Sequence, residues 1–162
     1  MDFAVGSTTH TDIFTSVSDD KGATWSAARS VGDTHGGADR FNQWLATDPV
    51  TGTVNVSFYD TRNDTTGAGF QTDIFLVRGD GASFGLGTKV TTAPSNEHDC
   101  NGLFPCPSIN YGNQQGDYEG LAAFGGIAHP IWTDSRRNTE NATPSCARGR
   151  GLMEEVFTAA VK

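Results

Sequence analysis

The chain has 162 residues, with 20 glycines and 6 prolines but only 2 methionines, a length sufficient for one packed core and a composition poor in long-helix formers. Its 19 acidic against 11 basic residues give a formal net charge of −8 and a pI near 4.7, which argues against nucleic acid or an anionic membrane surface as partner. No apolar run is long enough to span a bilayer and no basic-then-apolar leader is visible, so a soluble chain is expected; its place is expected to be secreted or extracellular, with any export signal outside these residues.

No stretch carries apolar residues at helical spacing, whereas Val54-Asn55-Val56-Ser57-Phe58 alternates with period two, and an all-β fold follows. In chain order, Phe3-Ala4-Val5 reads as the end of a strand, followed by strands at about Asp12–Val17 and Ala27–Val31. Four more are expected at about Gln43–Thr47, Val54–Tyr59, Asp73–Arg78 and Thr88–Thr92. After a long loop come Tyr118–Phe124, Ile127–Thr133 and Glu155–Ala160.

These strands repeat. Thr11-Asp12-Ile13-Phe14 returns as Thr72-Asp73-Ile74-Phe75 and, degraded, as Glu154-Glu155-Val156-Phe157. Phe58-Tyr59-Asp60-Thr61-Arg62-Asn63 is answered by Ile131-Trp132-Thr133-Asp134-Ser135-Arg136-Arg137-Asn138. Such self-similarity indicates stacked units, each too small to bury its own apolar face. The pattern divides the chain into a partial unit at 1–39, a complete four-stranded unit at 40–92, a loop at 93–116 and a partial unit at 117–162. Four-stranded units repeated radially make a β-propeller, which hides its sheet edges by closing around an axis. Three units do not close one, so the missing blades are expected from the rest of a longer chain or from self-association.

Between the third and fourth strands of the first unit lies Ser18-Asp19-Asp20-Lys21-Gly22-Ala23-Thr24-Trp25. The Asp20 carboxylate can accept from the turn's own N–H groups, Gly22 can take positive φ, Thr24 adds a hydroxyl and Trp25 is expected to fold back onto the sheets. Asp80-Gly81-Ala82-Ser83-Phe84 holds the corresponding place in the next unit, one residue shorter. The first stretch matches the Asp-box, or BNR repeat, S-x-D-x-G-x-T-W, through Ser18, Asp20, Gly22, Thr24 and Trp25. With the repeat pattern, the chain resembles Asp-box propellers of the sialidase-like superfamily over nearly its whole length. Asp-boxes are hairpin devices that also occur in propellers without glycosidase chemistry, so fold and function are argued separately.

In an antiparallel unit the first-to-second and third-to-fourth connections share one end. Here those are short, while Gly32–Asn42, Thr61–Thr72, Ala93–Asp117 and Asp134–Met153 are long and gather at the other end, the usual place for binding or catalysis. That end carries Arg40, Asp60, Arg62, Asp117, Tyr118, Glu119, Asp134, Arg136 and Arg137. The resemblance implies an exo-α-sialidase-type hydrolase, in which arginines clamp a substrate carboxylate and a Tyr paired with a Glu is the nucleophile. On these residues it implies Tyr118, Glu119 and Asp134 as catalytic candidates and Arg40, Asp60, Arg62, Arg136 and Arg137 as substrate binders for a glycan or other carboxylate-bearing ligand.

Three features weigh on the other side. Adjacent residues of a strand face opposite ways, which strains a Tyr118–Glu119 pairing. Asp-x-Arg occurs twice at the same blade position, as a structural ion pair would and a catalytic residue would not. The Arg-Ile-Pro motif of the sialidases is missing from the sequence. The rival reading is a non-catalytic propeller module that binds a glycan or protein through its long-loop end.

Cys100 and Cys106 suit a local disulfide better than a zinc site, with Cys146 left over. His10, His35, His98 and His129 are scattered. No cofactor is expected, although the acidic loops at Asp60–Asp64 and Asp117–Glu119 could offer oxygen ligands to Ca²⁺. Asn55, Asn63 and Asn141 open glycosylation sequons, relevant only in a eukaryotic secretory setting.

Overall fold

The computed structural model describes residues 10–33, 36–67, 69–96, 119–134, 136 and 155–162. Among them the chain is all-β, with ten strands: β1 (Phe14–Thr15), β2 (Arg29–Ser30), β3 (Arg40–Thr47), β4 (Val54–Asp60), β5 (Gln71–Gly79), β6 (Thr88–Lys89), β7 (Ser95–Asn96), β8 (Gly120–Phe124), β9 (Ile127–Asp134) and β10 (Glu155–Thr158). They form three antiparallel sheets, none closed: β1–β2, then β3–β4–β5–β6 with β7 also on β5, then β8–β9–β10. Apart from β7, neighbours within each sheet are consecutive strands, as the sequence repeat predicts. The expected strand at Phe3–Val5 lies outside the described residues.

Three strands depart from expectation. The first unit contributes only two-residue strands where Asp12–Val17 and Ala27–Val31 were expected. The fourth strand of the second unit is broken into β6 and β7, the latter inside what the sequence reads as loop. The cause is β5, whose nine residues outrun the two of β6. Its remaining backbone groups pair with whatever chain is alongside: Val90 donates to the Ile74 carbonyl at 2.8 Å, and Gln71 and Thr72 pair with Asn96 and Ser95.

The repeat is exact in register at the loop end. Asp60 of β4 pairs with Asp73 of β5, and Asp134 of β9 pairs with Glu155 of β10. Farther along the repeat, Asp12 accepts from Ser30 at 3.0 Å and Asp73 from Thr91 at 2.6 Å, each donor 18 residues downstream. The ion partners differ: Asp12 lies beside Arg40, Asp73 beside Lys89.

The middle sheet is buried on both faces. Successive side chains of a strand point opposite ways, so β4 and β5 feed two separate cores. Val56, Phe58, Phe75 and Val77 pack with Ile13 and Val31 of the first unit. Tyr59 and Ile74 pack with Trp132 of the third, flanked by Phe41, Val90 and Phe157. Sheets therefore lie side by side with the second unit between its neighbours.

A bulge interrupts β3 between Phe41 and Trp44, with Asn42 at φ 49°. At the far end of the third sheet, Gly125 and Gly126 make the β8–β9 turn with φ 61° and 85°, angles that a side chain disfavours.

Candidate functional site at the long-loop end

Strand β4 ends at Asp60 and β9 at Asp134, and each carboxylate turns the chain that follows it. Asp60 accepts from the Arg62 amide at 2.7 Å, from Arg62 Nε at 2.9 Å and from Nη2 at 2.6 Å. Asp134 accepts from the Arg136 amide, Nε and Nη2 at 2.8, 2.9 and 2.5 Å. The guanidinium is thereby laid flat over the third strand, 4.1 Å from the Phe75 ring for Arg62 and 4.7 Å from the Phe157 ring for Arg136. Its remaining nitrogen, Nη1, reaches backward to the preceding unit. Arg62 donates to Asp33 at 2.7 Å and Arg136 to Thr92 at 2.8 Å, both partners lying just past the fourth strand of their own unit. Burial works against the Arg62 cation, but Asp60 and Asp33 outweigh it and raise its pKa above the ordinary arginine value.

Arg40 occupies the junction of the first two units and is 2 % exposed. Its Nε lies 3.3 Å from Asp12 and 3.6 Å from Asp60, while Nη1 and Nη2 donate to the carbonyls of Val31 and Asp33 at 2.8 and 2.5 Å. Of the arginines expected to bind substrate, Arg40, Arg62 and Arg136 thus hold protein partners across unit boundaries. Arg137 and Tyr118 lie outside the described residues, as do Asp117, Ser135, the three cysteines, His35, His98 and the Asn141 sequon.

Glu119 is described and is 6 % exposed. Its Oε1 accepts from the Ser57 hydroxyl of β4 at 2.6 Å, across the boundary between the second and third units. Desolvation pushes its pKa up to about 8, against the opposing pull of Ser57 and of the Trp44 amide. The sequence gives one signal for this contact: Asn55, Ser57 and Tyr59 alternate on one face of an otherwise buried strand, so each needs a partner. All three find one on that side. Asn55 accepts from Arg78, which itself donates to the Val161 carbonyl; Tyr59 donates to the Thr133 carbonyl at 2.8 Å and accepts from the Thr133 amide at 3.1 Å.

Of the oxygens considered for Ca²⁺, those of Asp60 and Asp64 already have donors, and Asp117 lies outside the described residues. Asp60 holds Arg62, and Asp64 accepts from the amides of Thr66, Gly69 and Gln71 and from the Thr66 hydroxyl. Those bonds lower the Asp64 pKa in spite of desolvation. Among the described residues no group of three His, Cys, Asp or Glu side chains is placed to hold a metal ion. Unanticipated from sequence is the buried cluster on Asp73, which gathers Lys89, Thr91 and Asn63 at 2.8, 2.6 and 2.8 Å. Burial raises its pKa, and these three partners more than reverse that.

The opposite end is built of turns. In the Ser18–Trp25 turn, Asp20 accepts from the Thr24 hydroxyl at 2.6 Å, the Thr24 amide at 2.9 Å and the Ser18 hydroxyl at 2.8 Å, while the Gly22 amide donates to Ser18 at 2.7 Å. The Thr24 hydroxyl is the main reason its pKa falls to about 2. Gly22, at φ 89°, meets the positive-φ requirement read from the sequence. Trp25 does not fold onto a sheet. It is 64 % exposed and lies over the turn, because the short β1 and β2 provide no surface to cover it. Its counterpart Phe84 does pack, against the first core cluster. Asp48 serves this end between units: besides its own turn it accepts from the Gly125 and Gly126 amides at 3.1 and 2.6 Å, and the Gly126 bond leads in lowering its pKa.

No protein-family model, no curated protein and no solved structure matches the chain.

Proposed function

We propose that the chain is part of an Asp-box β-propeller of sialidase-like descent, in which the Asp-x-Arg pairs bind blade to blade and the long-loop end recognises a glycan without cleaving it. The observation that carries this reading is the duplicated geometry of Asp60–Arg62 and Asp134–Arg136, each with its guanidinium turned onto its own blade and its free end on the preceding one. A carboxylate clamp made of Arg40 and Arg62 would have to break buried ion pairs to reach a ligand. The middle sheet, covered on both faces, supports radial stacking, with further blades supplied by a longer chain or by another copy. At the same end, the β4–β5 loop carries the partly exposed ring of Phe70, an apolar surface of the kind that stacks on a sugar ring, while Asn63, Thr65 and Thr66 are held by Asp73, Gln71 and Asp64.

The test is binding of the full chain to immobilised sialylated and neutral oligosaccharides, with Phe70→Ala alongside. Saturable binding of intact glycan, weakened several-fold by the substitution, supports the reading; absence of binding to every glycan overturns it. A second reading, sialidase-type hydrolysis with Tyr118 as nucleophile, draws on the buried Glu119 next to it in sequence. It requires Glu119 to ionise on ligand binding, because a carboxyl that keeps its proton to about pH 8 is a poor acceptor for a phenol proton.

A further inference from the structure

Glu119 immediately precedes β8, yet its carboxyl is spent on the neighbouring sheet. One oxygen takes the Ser57 hydroxyl of β4, and the Trp44 amide, set at the β3 bulge, faces the same group. The other oxygen, Oε2, is fully enclosed and has no hydrogen-bond partner among the described residues. The strands around it carry few charges. Arg40 of β3 and Asp60 of β4 are engaged with one another and with Asp12, Asp33 and Arg62. On β9, Asp134 holds Arg136 and His129 is exposed; β8 itself has no titratable side chain. None of these groups compensates a charge on Glu119.

We propose that Glu119 is a pH-operated latch between the second and third units: carrying its proton it holds β8 against β3 and β4, and without the proton a buried charge that no described group compensates favours opening of that contact. A neutral carboxyl with one good hydrogen bond is tolerated in such an interface, whereas an isolated carboxylate is strongly disfavoured. The sign follows from proton linkage. The closed state retains the proton to about pH 8, while an opened, hydrated Glu119 releases it near the ordinary value of 4.5. Between those limits opening releases a proton, so the contact is strongest in acid, weakens as pH rises and levels off above about 8. The latch depends on the contact between sheets and on no ligand, so it stands or falls apart from glycan recognition.

Amide hydrogen exchange on the full chain, corrected for intrinsic rates, tests it between pH 5 and 9 on the wild type and on Glu119→Gln, which keeps the shape and removes the titration. Protection of Leu121–Phe124 in the wild type should fall by up to about tenfold per pH unit across the window, while β5 follows more weakly and Glu119→Gln shows no such slope. A ¹³C carboxyl titration of the wild type reads the same group without mutation. Titration well above the usual range is the expected result; titration near 4.5, or an unchanged slope in Glu119→Gln, overturns the proposal.

Discussion

Asp60 and Arg62 form a buried bidentate pair, with Nε and Nη2 on a single carboxylate oxygen, 0 % and 8 % exposed at their side chains. Removing one partner strands the other's charge in low dielectric, so Arg62→Met is expected to cost about 3–5 kcal/mol. Arg62→Lys should cost less, since it keeps the charge and loses the fork and the stacking on Phe75. Urea denaturation measures both. The double variant Asp60→Asn/Arg62→Met should recover part of the loss, the signature of a coupled pair.

Tyr59 reaches from the second unit to the third and satisfies both backbone groups of Thr133. Tyr59→Phe keeps the ring stacked on Phe41 at 5.4 Å and deletes only the hydroxyl. The exposed alternative for those two groups is water, which the interface excludes. A loss of about 1–3 kcal/mol is expected in denaturant unfolding. A change within error would mean that the two sheets separate at no cost in the native state.

The Ser18–Trp25 turn carries its own pH signature. Asp20 has its pKa lowered to about 2 by Thr24 first and Ser18 next, so its contribution is complete above the unfolded value of 3.8 and is lost as pH falls toward 2. Trp25 emission reports the turn, because the indole lies over Gly22. Acid titration should show a transition near pH 2 in the wild type, and Asp20→Asn should remove it. A wild-type transition centred near 4 would contradict the hydrogen-bond set.

Much of this was legible in the sequence. Period-two alternation located β4, the repeat landmarks placed β5 and β9, and the structure sets Asp60 and Asp134 opposite the landmark residues Asp73 and Glu155. The hairpin chemistry of Asp20, Gly22 and Thr24 is local, so it could be read residue by residue. What could not be read is set by distance along the chain. Ser57 and Glu119 are 62 residues apart, and no pattern names one as partner of the other. The β7 pairing is made by backbone alone and leaves no side-chain periodicity. Trp25 was expected to find a sheet because indoles usually do, but the two short strands beside it offer none. The Asp-x-Arg pairs lie between these cases. Their duplication pointed to a structural role, while Asp33 and Thr92 as the receiving ends needed three dimensions.

The measurement that bears most directly on the central claim, that these arginines fasten units together while the loop end binds without cleaving, is hydrolysis of a fluorogenic sialoside by the full chain beside Tyr118→Phe. The account predicts no fluorophore release above blank from either protein. Release by the wild type that Tyr118→Phe abolishes would contradict it and establish the catalytic reading in its place.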